Sequence, residues 1–424
     1  MLMTIARRGG VCACLLVCGV FVSAQPVTPG RMLGLPEALA RTVARNPELR
    51  VLGYQREALA GALTQASLLP NPELTVNLQD VLGGGIYTGV DNAETTVTLA
   101  WLLERGVRER RVDAARAGVE LSGADGEILR LDIGAETARR FIECMAFQAR
   151  LAWSREAVAL AEDTIEAVAV RVEAGRAPEA ELLRAEAELA RTELIEEDYE
   201  HELVSAYHRL SAQWGETEPD FEAVAGDLMT LPVLEPFEAI AGRMHDNPDL
   251  ARYASQERLD AAELELAQAQ ARQPWRLTAG VRRFEGTDDM GFVGGIVIPL
   301  AVRNRNEGQI AAARANLART GAELAAAEVR IETLLFTLHQ ELNHFLQTAR
   351  GLRDEIVPRL EQALADTRRA FELGRYSYLE WRAVQGELMT ANQDLLENTI
   401  SAHATAIELE RLIGVALAPA GTAQ

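Results

Sequence analysis

The chain has 424 residues, 48% of them hydrophobic, with 63 acidic against 42 basic side chains, every base an arginine, and a formal net charge of −21. So acidic a balance speaks against a nucleic-acid partner, and the hydrophobic share is ample for a real core. Three of the four cysteines (Cys12, Cys14, Cys18) fall in the first two dozen residues, so removal of that segment leaves Cys144 with no disulfide partner.

That first segment, residues 1–24, reads as a signal peptide. Arg7-Arg8 precedes an apolar run from Val11 to Val22, and Val22-Ser23-Ala24 stands before Gln25. The run is about a dozen residues, short of the roughly 20 that a spanning helix needs. Val17 is a poor fit to the small residue that precedes a lipidated cysteine, which counts against Cys18 as an anchor.

Residues 25–214 form a first structural repeat. Opening helices are predicted over about 36–68, with Asn46 capping and Pro47 in the first turn, and Pro70-Asn71-Pro72 ends them. Alternation of Leu74, Val76 and Leu78 with polar residues, and of Val97, Leu99 and Trp101 with threonine and alanine, predicts strands at about 73–80 and 94–103. A proline-free stretch rich in Ala, Glu, Leu and Arg follows, with apolar and small residues at alternating spacings of four and three (Leu131, Ala135, Ala138, Ile142, Met145). This predicts one very long coiled-coil helix. A break at Gly175-Arg176-Ala177-Pro178 leads into a return helix.

A connector is expected over 215–236, after which the pattern recurs over 237–414. Asn247-Pro248 matches Asn46-Pro47, Ile310–Ala315 matches Val112–Ala117, and Glu372-Leu373-Gly374-Arg375 matches Glu173-Ala174-Gly175-Arg176. The second copy's strands are expected at about 275–285 and 291–300. Its long proline-free helix should run to Pro358 and its tip should fall at Gly374-Arg375-Tyr376-Ser377, leaving a tail at 415–424. A long helix followed by a break and a return helix cannot fold into one compact globule.

After Gln25 no segment carries the roughly 18 consecutive apolar residues of a membrane helix, so any contact with a bilayer falls to the strands. Four strands cannot close a barrel, which takes about eight, so a spanning form must oligomerise. Two, three or four copies satisfy that requirement. No nucleophile elbow, phosphate loop or HExxH is present. The six histidines are dispersed and Cys144 sits among Phe141, Ile142 and Met145, so no catalytic, cofactor or metal-binding residue is assigned and the chain reads as no enzyme.

Four motifs in order resemble the TolC family of outer-membrane efflux channels, within it the heavy-metal Czc-type branch. They are Leu68-Leu69-Pro70-Asn71-Pro72-Glu73-Leu74, Leu103-Glu104-Arg105-Gly106, Ile298-Pro299-Leu300 through Asn304-Arg305-Asn306-Glu307-Gly308, and Phe371–Glu380. The resemblance implies a mainly α fold with a β-barrel portion: a homotrimer whose strands form a twelve-stranded outer-membrane barrel continued by a periplasmic α-helical barrel. It implies outer-membrane lipid, a periplasmic adaptor and an inner-membrane RND pump as partners, and passive export of small solutes, heavy-metal cations above all. It also implies that the two tips, Gly175, Arg176, Ala177, Pro178 and Gly374, Arg375, Tyr376, Ser377, meet the adaptor. Glu181 and Glu380 are implied as acids at the periplasmic entrance, where crowding of like charge raises carboxylate pKa values. The family's second acid is absent, its places taken by Arg184 and Ala383. Drug efflux, type I protein secretion and a pore-less periplasmic coiled-coil protein are the alternatives.

Overall fold

The computed structural model describes residues 31–414. The signal peptide assigned to 1–24 and the tail at 415–424 lie outside the described residues. The first copy comprises β1 (Met32–Gly34), α1 (Leu35–Arg45), α2 (Pro47–Ser67), β2 (Glu73–Gln79), β3 (Glu94–Leu103), α3 (Val107–Glu173) and α4 (Glu179–Ser211). After β4 (Ala223–Ala225) the order returns as α5 (Phe237–Gly242), α6 (Pro248–Gln270), β5 (Trp275–Phe284), β6 (Asp289–Val297), α7 (Glu307–Gly351), α8 (Val357–Glu372) and α9 (Tyr378–Leu412).

The helix α3 is unbroken for 67 residues, about 100 Å at 1.5 Å per residue. The chain enters it from β3 through Gly106, whose φ of 86° is readily adopted only without a Cβ. In the second copy the same length is divided. The 45-residue α7 passes through a π turn at Leu352–Ile356 into α8, and Pro358 sits in the first turn of α8. The helix therefore runs past the proline to Glu372 instead of ending there. A π turn widens the hydrogen-bond ladder just where a proline ring would crowd the carbonyl one turn back and offers it no N–H.

Each pair of opening helices is anchored by the same asparagine. Asn46 Oδ1 accepts from the backbone N–H groups of Glu48 (2.8 Å) and Leu49 (3.3 Å) while its Nδ2 donates to Gln213 O at 2.8 Å. Asn247 Oδ1 accepts from Leu250 N at 3.0 Å and its Nδ2 donates to Leu412 O at 2.6 Å. One side chain thus caps a helix start and ties it to the end of that copy's last helix.

The apolar core is strung along the helices. One cluster packs Ala135, Ala138, Phe141 and Met145 of α3 against Leu210, Trp214, Phe221 and Val224. A second joins Ile331, Leu335, Leu342 and Leu346 of α7 to Leu409 and Leu412 of α9. Within the stretch expected as a connector and equatorial region, β4 pairs in parallel with β1, burying Leu33 and Val224 near the middle of α3. Three-residue strands with one inward side chain leave too little periodicity to read from sequence.

Candidate functional site

Two regions stand out, the four-stranded sheet at one end of the long helices and the helix tips at the other. The sheet has the order β2-β3-β5-β6, antiparallel throughout. Thr98 faces Thr75 on one side and Gly280 on the other, and Gly280 faces Val293 in turn, so the two copies contribute one hairpin each to a continuous ladder. The fourth strand, expected to reach residue 300, ends at Val297, because Pro299 has no N–H to continue a ladder.

The register sorts the side chains by face. Leu74, Val76 and Leu78 share one face with Val97, Leu99, Trp101, Leu277, Val281, Phe292 and Ile296. On the opposite face stand Glu73, Thr75 and Asn77 with Thr96, Thr98, Arg276 and Arg282. Phe292 is 96% exposed and Leu74 69%, whereas Thr96 and Ala100 on the polar face are buried, so the sheet curls toward its polar side. Gly280 marks that curl: a Cβ there would lie 2.1 Å from Val97 O. Large apolar side chains turned outward over several strands need lipid or another chain to cover them. The edges β2 and β6 leave backbone donors and acceptors unpaired in this single chain, which hydrocarbon does not tolerate.

At the far end both tips close by the same chemistry. Gly175 and Gly374 adopt φ of 67° and 71°. In tip one Gly175 N donates to Val172 O (2.9 Å) and Arg176 N to Arg171 O (2.8 Å); in tip two Gly374 N donates to Phe371 O (2.9 Å) and Arg375 N to Ala370 O (2.9 Å). Glycine ends both helices by satisfying their last carbonyls. The restarts differ. Helix α4 begins after Pro178 with no side-chain cap. Helix α9 begins with a capping box: Glu380 accepts from Ser377 N at 2.7 Å and from Ser377 Oγ at 2.9 Å.

Glu181 and Glu380 occupy the same third helical position of their helices. Glu380 is exposed, and the N–H and hydroxyl of Ser377 hold its carboxyl below the ordinary range. This is opposite to the rise expected from crowded like charges: within one chain the local cap governs Glu380. Pro178 has no N–H to offer Glu181, which is half-buried. Arg184 and Ala383 are both exposed.

Tip two is further fixed by residues that the sequence reading missed. Arg171 of α3 donates to Phe371 O (2.9 Å) and Tyr376 O (3.3 Å), and its guanidinium lies 4.3 Å from the Phe371 ring centroid. Phe371 stacks on Trp381 at 4.9 Å, and Phe371, Tyr378 and Trp381 are buried with Val168 and Ala185. The spacing of Tyr378 and Trp381 along one helix face was a usable signal; the reach of Arg171 from the other copy was not. Among the described residues no group of three or more His, Cys, Asp or Glu side chains is placed to hold a metal. Burial pushes the Cys144 thiol up to about 12, leaving it unreactive.

A curled sheet with an apolar outer and a polar inner face, carried on helices about 100 Å long, defines a membrane channel component of mixed β-barrel and α-barrel build. Residues 38–216 match the model of the outer membrane efflux protein family. The chain is similar to the cobalt-zinc-cadmium resistance protein CzcC of Cupriavidus metallidurans, 26% identical over 92% of this chain and 93% of that one. Among solved structures, a membrane protein from Pseudomonas aeruginosa superposes with a TM-score of 0.75 at 16% identity over 89% of this chain and 92% of its own. The outer membrane protein VceC from Vibrio cholerae gives 0.72 at 18% over 91% and 97%. Residues 38–216 thus carry an outer membrane efflux protein domain, and the chain is an outer-membrane protein of the TolC-like fold.

Proposed function

We propose that this chain, as a homotrimer, is the passive exit duct of a tripartite efflux system that carries heavy-metal cations through the outer membrane. The observation that carries the reading is the four-stranded sheet with one apolar face, one polar face and two open edges. Three copies joined β6 to β2 make a barrel of twelve strands, lipid outside and polar lumen inside, and leave no edge unpaired. The cargo class rests on likeness to the cobalt-zinc-cadmium and nickel-cobalt-cadmium resistance proteins. The duct performs no chemistry and holds no cofactor. Residues 25–214 and 237–414 are its two structural repeats, 215–236 the connector between them. The tips at 175–178 and 374–377 meet a periplasmic adaptor that links the duct to an inner-membrane RND pump, and Glu181 and Glu380 face the entrance.

The reading is tested by deleting the gene and measuring growth on zinc, cobalt and cadmium beside lipophilic antibiotics. Loss of metal tolerance with little change in drug tolerance supports it, and the converse overturns the cargo. A detergent-stable trimer from outer membranes that conducts ions in a planar bilayer supports the duct; a soluble monomer overturns it.

A further inference from the structure

The polar face of the sheet carries two arginines, an awkward charge for the wall of a duct that passes cations. Each is matched by a carboxylate on another strand. Arg282 of β5 donates through Nη1 to Glu94 Oε2 and through Nε to Thr96 Oγ1, both at 2.9 Å. Arg276 donates to Glu73 Oε2 at 2.6 Å. Glu73 lies on β2, so Arg276, whose register partner on β3 is Leu102, reaches diagonally across the intervening β3 to Glu73, whose register partner is Ala100. The two pairs stand six residues apart along β5, about 20 Å at the rise of a strand, one near the helices and one near the outer loops. The remaining arginine of β5, Arg283, points to the other face and pairs at the rim with Asp288.

We infer that Glu94 and Glu73 are selectivity-determining residues of the exit barrel: by neutralising Arg282 and Arg276 they turn two rings of fixed positive charge into two electrically balanced belts. In a trimer an unmatched Arg282 is three positive charges around one aqueous lumen. Such a ring repels cations and concentrates anions within about a Debye length, roughly 10 Å at 0.1 M salt. With its carboxylate beside it, each guanidinium presents a dipole whose field falls off over a shorter distance than that of a bare charge. The inference rests on the proposed reading of the chain as a trimeric duct.

The test is the reversal potential of the purified full-length trimer in a planar bilayer under a dilute potassium chloride gradient. Glu94→Gln is expected to move it toward the chloride potential, Arg282→Gln toward the potassium potential, and the double variant back near the wild-type value. Glu73→Gln and Arg276→Gln provide the same comparison at the other belt, should a variant of the first belt not assemble. Wild-type conductance with a reversal potential that neither Glu94→Gln nor Arg282→Gln moves, or that both move in one direction, overturns this inference and leaves the duct intact. A wild-type trimer that does not conduct overturns the duct reading itself.

Discussion

Asn247 is fully buried, caps α6 and donates to Leu412 O at the end of α9, so its replacement removes two hydrogen bonds and strands a carbonyl. Asn247→Ala is expected to cost about 1–3 kcal/mol, read as a lowered unfolding temperature. On the same helix α9, burial and then the charge of Glu235 push Glu410 up to about 7. The folded state therefore favours its neutral form. The stability this confers is complete at low pH and is lost as pH rises from the ordinary value of 4.5 through about 7. Glu410→Gln should leave thermal stability unchanged at pH 5 and raise it at pH 8. Allowing for solvent screening of a part-exposed group, the gain is on the order of 1 kcal/mol or 2–4 °C. An equal effect at both pH values would assign Glu410 a packing role instead.

Among the elements, the two tips share a sequence pattern and differ in rigidity. Tip one ends in a bare turn at Pro178, whereas tip two has a capping box, an aromatic stack and Arg171 bonded to two of its carbonyls. Arg171→Ala should therefore disturb tip two alone. With single cysteines at Arg176 or Tyr376, cross-linking to the proposed adaptor is expected to fall several-fold at 376 and to persist at 176; equal loss at both would mean general unfolding. Strand pairs and long helices were legible because each has a period that repeats over many residues. The β1–β4 pairing was not, since three-residue strands carry no period. Nor was the π turn, because a proline in a helical pattern reads as a stop unless the preceding turn is known to widen. At the tips the glycines were legible from their conformational freedom. The capping box makes Glu380 a structural acid as well as a candidate entrance acid, a duality that like-charge reasoning alone could not reach.

For the whole molecule, the charges divide into regions with separate tasks. The polar face of the sheet pairs its arginines, while the tips carry Glu181 and Glu380, the proposed entrance acids, with Arg184 and Ala383 one turn further on. The combined Glu181→Gln and Glu380→Gln change is expected to lower the cation preference of the pore, measured as a reversal potential. An unchanged value would return both residues to the role of solvated helix starts. The long helices that join these regions are unlike as beams. The one in the first copy is an unbroken rod, and its counterpart in the second is a strut with a joint at Leu352–Ile356. Under bending load the deflection gathers where the ladder is loosest, and in the proposed trimer rotational symmetry sets every such joint at one height. The tube so assembled would be stiff along its length except for a single compliant ring between its middle and its tips.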